Sequence, residues 1–95
     1  TEDIALFSLQ NETVYLHTFE NKKCPIFKKL DYLESVCDPN QFFRINRQML
    51  VYRKAVVSFE PYFNRKIMIK LQINTDEKVI VSRLKVSKFK EWLKQ

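Results

Sequence analysis

Arg44, Asn46 and Arg47 place three hydrogen-bonding side chains within four residues of a predicted strand. Alternate side chains of an extended strand share a face, so Phe43 and Ile45 are expected to point into a core while Arg44 and Asn46 point to water or a ligand. The alternation breaks at Arg47. Such a kinked strand could project its donors into a groove of a partner, and the same pattern is equally typical of a solvated strand edge.

The basic residues are concentrated in the second half of the chain. The net charge is +6, and residues 1–47 carry six basic and seven acidic side chains, whereas residues 48–95 carry eleven and four. This asymmetry favours a partner with a phosphate backbone or an anionic surface. A solvated basic surface without a partner is the simpler alternative.

Several kinds of site have no basis in the sequence. The chain contains no Gly, which excludes Gly-rich phosphate loops and dinucleotide fingerprints. Cys24 and Cys37 match no metal-binding spacing and are expected to be reduced and packed as small hydrophobes. His17, the single histidine, lies in a predicted strand, where a structural role is expected. We therefore expect no enzyme activity, cofactor or metal, and no apolar stretch approaches the roughly 18 residues of a membrane span.

The remaining pattern predicts one domain, residues 1–95, that is mostly β with two short helices. Strands are predicted over residues 4–9, 14–19, 24–27, 42–46, 49–51, 55–60, 67–73 and 79–81. Pro25 places its strand at a sheet edge, because proline cannot donate to a ladder.

Two apolar stripes at helical spacing predict the helices. The first helix follows Lys29 and ends at Pro39, and the second is expected to be capped by Ser82. The predicted core comprises Leu30, Leu33, Phe43, Ile69, Leu71, Phe89 and Trp92.

Two motifs carry a resemblance to a known family. The segment from Phe42 to Gln48, FFRINRQ, and the segment from Val79 to Arg83, VIVSR, resemble the LytTR family of DNA-binding domains at the family's spacing. The opening strand and the first helix also match, so the resemblance covers nearly the whole chain. It implies an elongated set of small antiparallel sheets without a helix-turn-helix, whose loops on one side enter the major groove of DNA.

The resemblance implies DNA contacts from Arg47, from Arg83 and from the first hairpin loop around Asn11 to Thr13. Arginine can bond bidentately to guanine and asparagine to adenine. The candidates for base readout are Asn46, Arg47, Arg83, Asn11 and Thr13, and the candidates for phosphate contact are Arg44, Gln48 and Lys85. As alternatives, Arg44 is a strand-face charge, Arg83 pairs with an acid, and the lysines from Lys85 to Lys94 form a solvated helix face.

The chain departs from the family's pattern at two positions. Many members have His where this chain has Asn46, which keeps hydrogen-bonding groups but does not titrate near neutral pH. Many have Asn where this chain has Tyr52, which puts any DNA contact from that position in doubt.

The resemblance further implies the effector domain of a bacterial two-component response regulator, which binds double-stranded DNA sequence-specifically and controls transcription in the cytoplasm. An N-terminal receiver domain is expected to precede the chain, with phosphorylation promoting dimerisation on paired promoter repeats. The alternatives are a basic protein-interaction module for an acidic partner, and RNA binding by aromatic stacking. Arg47 and Arg83 on one surface with the first hairpin loop favour DNA, whereas opposite faces favour the interaction module.

Overall fold

The structure, a computed structural model, describes residues 3–95, so Thr1 and Glu2 of the expected single domain lie outside the described residues. Within the described residues, eight strands and two α-helices follow one another: β1 Ile4–Gln10, β2 Thr13–Thr18, β3 Lys23–Ile26, α1 Leu30–Val36, β4 Phe42–Asn46, β5 Met49–Tyr52, β6 Val56–Pro61, β7 Ile67–Leu71, β8 Val79–Val81 and α2 Val86–Lys94. Short 3-10 helices cover Arg53–Ala55 and Arg83–Lys85, and a tight turn covers Phe63–Arg65. The predicted mostly β class with two short helices is confirmed.

Five strands form the larger antiparallel sheet, in the order β3-β2-β1-β5-β4. Pro25 lies on the edge strand β3, as predicted. The two-residue turn between β1 and β2 holds Asn11 and Glu12 at φ 50° and 67°. Two successive left-handed residues match the right-handed twist of a hairpin. Asparagine tolerates this conformation well, so the polar run at this point closes a tight hairpin.

The smaller antiparallel sheet has the order β6-β7-β8. Ile67, Ile69, Leu71 and Ile73 are all buried while Lys70 and Gln72 are exposed, which confirms the alternation predicted for this strand. The β6–β7 turn contains Asn64 and Arg65 at φ 57° and 64°. With no glycine in the chain, non-glycine residues occupy the left-handed region here as well.

Helix α2 closes the core against β4. The Phe43 ring centroid lies 5.6 Å from that of Phe89 and 5.2 Å from that of Trp92. The indole Nε1–H of Trp92 donates to the Pro39 carbonyl at 2.8 Å, and the Arg53 guanidinium lies 4.5 Å from the Trp92 ring. Of the predicted core, six residues are buried and Phe43 is half-buried against them: Leu30, Leu33, Ile69, Leu71, Phe89 and Trp92.

Strand β4 does not present a solvent face, contrary to the prediction. Phe43 packs on α2, and the opposite face carries Arg44, whose side chain is only 13% exposed beneath α1. The break in alternation at Arg47 is the turn between β4 and β5, and a register irregularity lies just before it, between Arg44 and Asn46. The prediction failed because the pattern of one strand cannot reveal a helix that covers its polar face.

Two smaller predictions are also corrected. Ser82 precedes the Arg83–Lys85 turn, but its side chain makes no capping hydrogen bond, and α2 begins only at Val86. Cys24 is exposed on the edge strand rather than packed, whereas Cys37 is half-buried against the core. Both cysteines are free thiols.

His17 is buried on one face of the first hairpin. Its Nε2 lies 2.7 Å from the hydroxyl Oγ of Ser8, which is also buried, so the two side chains share a hydrogen bond. Burial, reinforced by the nearby Lys23 charge, lowers the pKa of His17 from its ordinary value of 6.5. This environment supports the structural role expected for the histidine.

Candidate nucleic-acid interface

The first hairpin turn and the β4–β5 turn lie at the same end of the larger sheet. Strands β1 and β5 are antiparallel neighbours with Ser8 opposite Met49, so the turn that follows β1 lies beside the turn that precedes β5. The Leu9 N–H donates to the Gln48 carbonyl at 2.7 Å and fixes the two turns together. The segments that contain Asn11 and Arg47 are therefore adjacent.

The Arg83–Lys85 turn docks onto the same end of the sheet. The Ser82 N–H donates to the Ile45 carbonyl at 2.9 Å. The Asn46 side chain donates through Nδ2 to the Ile80 carbonyl at 2.6 Å. These bonds join β8 to the β4–β5 turn, which places Arg83 and Arg47 on neighbouring segments.

A fourth segment, the β6–β7 loop, completes this surface. Ile67 pairs with Val81, so the loop that precedes β7 lies next to the segment that follows β8. A cleft of about 380 Å³ is lined by Asn64, Lys66, Ser82, Arg83 and Leu84. A neighbouring cleft of about 290 Å³ is lined by Asn46, Gln48, Met49, Tyr62, Lys66, Glu77, Lys78, Ile80 and Ser82. Lys66 and Ser82 line both clefts, so the two clefts are continuous. We call the surface formed by these clefts and the four adjoining segments the turn face; the segments are the first hairpin turn, the β4–β5 turn, the β6–β7 loop and the Arg83–Lys85 turn.

The side chains of the two arginines predicted to read bases can extend from the turn face towards a ligand. Arg47 and Arg83 are exposed, and within residues 3–95 neither guanidinium forms a hydrogen bond or ion pair. The expected alternative in which Arg83 pairs with an acid is therefore not seen among these residues. Asn11 and Gln48 are also exposed, whereas Thr13 is half-buried at the start of β2.

Asn46 uses both ends of its amide inside the fold. Besides the Nδ2 bond to β8, its Oδ1 accepts the Gln48 N–H at 2.7 Å. The same side chain therefore shapes the β4–β5 turn and fastens it to the second sheet. A base contact from Asn46 would require at least one of these bonds to break.

Arg44 is held by four groups beneath the β4–β5 turn. Its guanidinium donates to Asp31 at 2.9 Å and Glu34 at 3.0 Å on α1. It also donates to the carbonyls of Asn46 at 2.8 Å and Arg47 at 2.7 Å. Charge-assisted bonds of this kind are among the stronger ones in proteins. The geometry makes Arg44 a support for the turn that carries Arg47.

Lys85 is held in a similar way, because its ammonium Nζ donates to the Arg44 carbonyl at 3.0 Å and the residue is half-buried.

Tyr52, which occupies the position where many family members have Asn, is buried. Its ring centroid lies 5.1 Å from that of Phe42 and 6.0 Å from that of Phe19. Tyr52 therefore serves the core.

The turn face carries an excess of positive charge. Besides Arg44 and Lys85, which are bonded to the fold, its basic residues are Arg47, Arg65, Lys66, Lys78 and Arg83, and its acidic residues are Glu12 and Glu77. The contribution of Lys66 and Lys78 was missed from the sequence. The adjacent basic pair Arg65 and Lys66 in a short connector was the available signal, but its position beside Arg83 depends on the pairing of β7 with β8.

Metal-ligand clusters and membrane-spanning helices are absent from the described residues. Among residues 3–95, no three His, Cys, Asp or Glu side chains come together in a way that could hold a metal ion. In the same part of the chain, no helix has the length and apolar character needed to cross a membrane.

A solved structure supports the fold. It is named as the LytTr DNA-binding domain of a methyl-accepting/DNA response regulator from Bacillus cereus, and it matches with a TM-score of 0.81 at 18% sequence identity. The match covers 96% of this chain and 81% of that chain. No curated protein matches the chain significantly.

The sequence itself settles the family. The sequence profile of the LytTr DNA-binding domain matches residues 1–94, which is nearly the whole chain. That family consists of DNA-binding domains rather than catalytic ones. The chain belongs to the LytTR family of DNA-binding domains.

Proposed function

We propose that this chain binds double-stranded DNA sequence-specifically through the turn face. The observation that carries the proposal is that Arg47 and Arg83 lie on adjoining exposed turns, without internal partners among residues 3–95, on a surface with more basic than acidic side chains. A guanidinium at this position is free to bond guanine O6 and N7 in the major groove. Asn11, exposed at the tip of the neighbouring hairpin, has the chemistry to read adenine.

The remaining residues of the turn face divide into two roles. Lys66, Lys78 and Arg65 supply phosphate contacts, which set affinity and register without reading sequence. Arg44, Asn46 and Lys85 position the turns, because their polar groups are bonded to the fold. Gln48, exposed beside Arg47, contacts the DNA backbone, and the half-buried Thr13 contributes at the margin of the face.

In the cell this chain acts as the effector domain of a two-component response regulator that controls transcription in the cytoplasm. Membership of the family supports this role, as does the similar Bacillus cereus domain, which is described as part of a response regulator. A receiver domain N-terminal to the chain would be phosphorylated and so pair two copies on repeated promoter sites. Pairing raises affinity because the second contact becomes intramolecular.

The salt dependence of DNA affinity tests the proposal. If Lys66, Lys78 and Arg65 each neutralise one phosphate, the logarithm of the affinity falls against the logarithm of salt concentration with a slope of about −3. Lys66→Ala should reduce the magnitude of that slope by about one unit. Lys54, which lies beyond the opposite end of β5, provides a matched control whose change to Ala should leave the slope unaltered.

The measurement is an electrophoretic mobility shift series at several salt concentrations. The duplexes are taken from the promoter region of the gene that encodes the chain. A slope near zero would remove DNA as the partner and favour the protein-interaction module. An equal effect of Lys66→Ala and Lys54→Ala would move the binding surface away from the turn face.

A further inference from the structure

Leu84 is exposed to solvent and does not pack on the described hydrophobic core. The residue is 84% accessible to solvent, at the centre of the Arg83–Lys85 turn. The turn is closed by the Lys85 N–H, which donates to the Ser82 carbonyl at 2.9 Å, and it is anchored by the Lys85 ammonium. These bonds do not involve the Leu84 side chain.

Leu84 is one of several exposed hydrophobic residues, and Phe27, Val36 and Val57 are exposed as well. Three others contact an aromatic ring or an ammonium group: Phe59 meets Phe89 edge to face, Phe63 meets Tyr62 edge to face, and the ammonium group of Lys28 lies over the ring of Tyr32. Among residues 3–95, Leu84 is neither in the core nor among the half-buried side chains that pack on it. Covering an apolar side chain with a ligand removes it from water, which lowers the free energy of the complex.

The surroundings of Leu84 restrict what that ligand can be. It lines the 380 Å³ cleft together with Asn64, Lys66 and Arg83, so its neighbours are polar or cationic. A partner must therefore bring an apolar group of small size into a field that attracts anions. In the major groove the apolar group on a base edge is the C5-methyl of thymine.

We propose that Leu84 packs against a thymine methyl group next to the base that Arg83 reads. This inference rests on the proposed function and names part of the sequence that the turn face recognises. Arg83 and Leu84 are consecutive, so one turn delivers a guanidinium fork and an apolar branch to neighbouring base pairs. The site bound by this chain therefore contains a thymine whose methyl group contributes to affinity.

The test begins with a duplex selected by the 95-residue chain from a randomised pool. Each thymine is then replaced in turn by deoxyuridine, which removes the methyl group and keeps the base-pairing atoms. At one position the replacement should weaken binding by about fourfold, the factor that corresponds to burial of one methylene-sized group. Leu84→Ala should weaken binding to the thymine duplex by a similar factor and abolish the difference between thymine and uracil there.

Val57→Ala provides a matched control, because Val57 is also an exposed aliphatic residue, 53% accessible, on the edge strand β6. It should keep the full difference between thymine and uracil, and both variants should keep the thermal midpoint of the parent chain. The inference is overturned if no thymine position responds to uracil, or if Leu84→Ala preserves the response. A chain that shows no salt-dependent binding to any duplex contradicts the proposed function itself, whereas salt-dependent binding without a uracil response contradicts only the role of Leu84.

Discussion

At the scale of single residues, the polar side chains of the turn face differ in whether they are exposed or bonded to the fold. Arg47 and Arg83 have no internal partner among residues 3–95, whereas Arg44 is almost enclosed and donates to four groups. The FFRINRQ segment contains both kinds of arginine, Arg44 and Arg47, within four residues. Composition alone does not separate them, because the difference lies in whether α1 covers the side chain.

Replacement of Arg44 should lower stability. Arg44→Met leaves two carbonyl acceptors of the β4–β5 turn without their donor, and we expect a loss of about 1–3 kcal/mol in the free energy of unfolding. Arg47→Ala, a change of an exposed residue in the same turn, should stay within about 0.5 kcal/mol of the parent chain. Urea unfolding measures both. If Arg44→Met keeps full stability and loses only DNA affinity, Arg44 is a phosphate contact after all.

His17 should make stability depend on pH. Its pKa is lowered in the folded chain, chiefly by burial, so the unfolded chain binds a proton more readily. The free energy of unfolding should therefore decrease as the pH falls below the ordinary value of 6.5 towards the lower pKa of the folded state. His17→Gln should remove this decrease, as measured by urea unfolding between about pH 7.5 and pH 5. An identical pH profile in parent and variant would show that His17 does not titrate in this way.

At the scale of elements, hydrophobic periodicity predicted the type and position of the strands and helices. The alternation from Ile67 to Ile73 and the apolar spacing of α1 were sufficient because each element buries one face. Strand β4 was misread because it packs on both faces, against α1 and against α2. Strand β1 is likewise buried at four successive positions, so strands covered on both faces carry no alternation that could orient them.

Helix α1 should depend on its buried leucines. Leu33 is 9% exposed and Val36 is 59% exposed on the same helix. Leu33→Ala should cost about 2–5 kcal/mol in the free energy of unfolding, because it leaves a cavity in the core. Val36→Ala should stay within about 0.5 kcal/mol. Equal effects in urea unfolding would contradict the placement of the helix.

At the scale of the whole molecule, the turn face arises where two sheets meet. The molecule measures 32 × 26 × 23 Å, and four segments distant in sequence reach the same surface. The resemblance to the LytTR family provided Arg47 and Arg83 from the sequence. Lys66 and Lys78 could not be found in that way, because their position depends on how β7 pairs with β8 and how β8 bonds to the β4–β5 turn.

The central claim is that Arg83 reads bases while other cations of the turn face hold phosphates. Lys66 is the suitable comparison, since Lys85 is bonded to the fold and its replacement would disturb β4. Both residues line the same cleft, so Arg83→Ala and Lys66→Ala remove one positive charge each from the same place. Exposed charges contribute little to folding, and we expect the thermal midpoint of Arg83→Ala to match that of the parent chain.

The most direct measurement is the affinity of these two variants and the parent chain for the selected duplex and for a scrambled duplex, at one salt concentration. Arg83→Ala should weaken binding to the selected duplex by about 1–3 kcal/mol while it changes binding to the scrambled duplex much less. Lys66→Ala should weaken both by the same factor. If Arg83→Ala lowers both affinities equally, or lowers the thermal midpoint, Arg83 does not read bases and the claim is wrong.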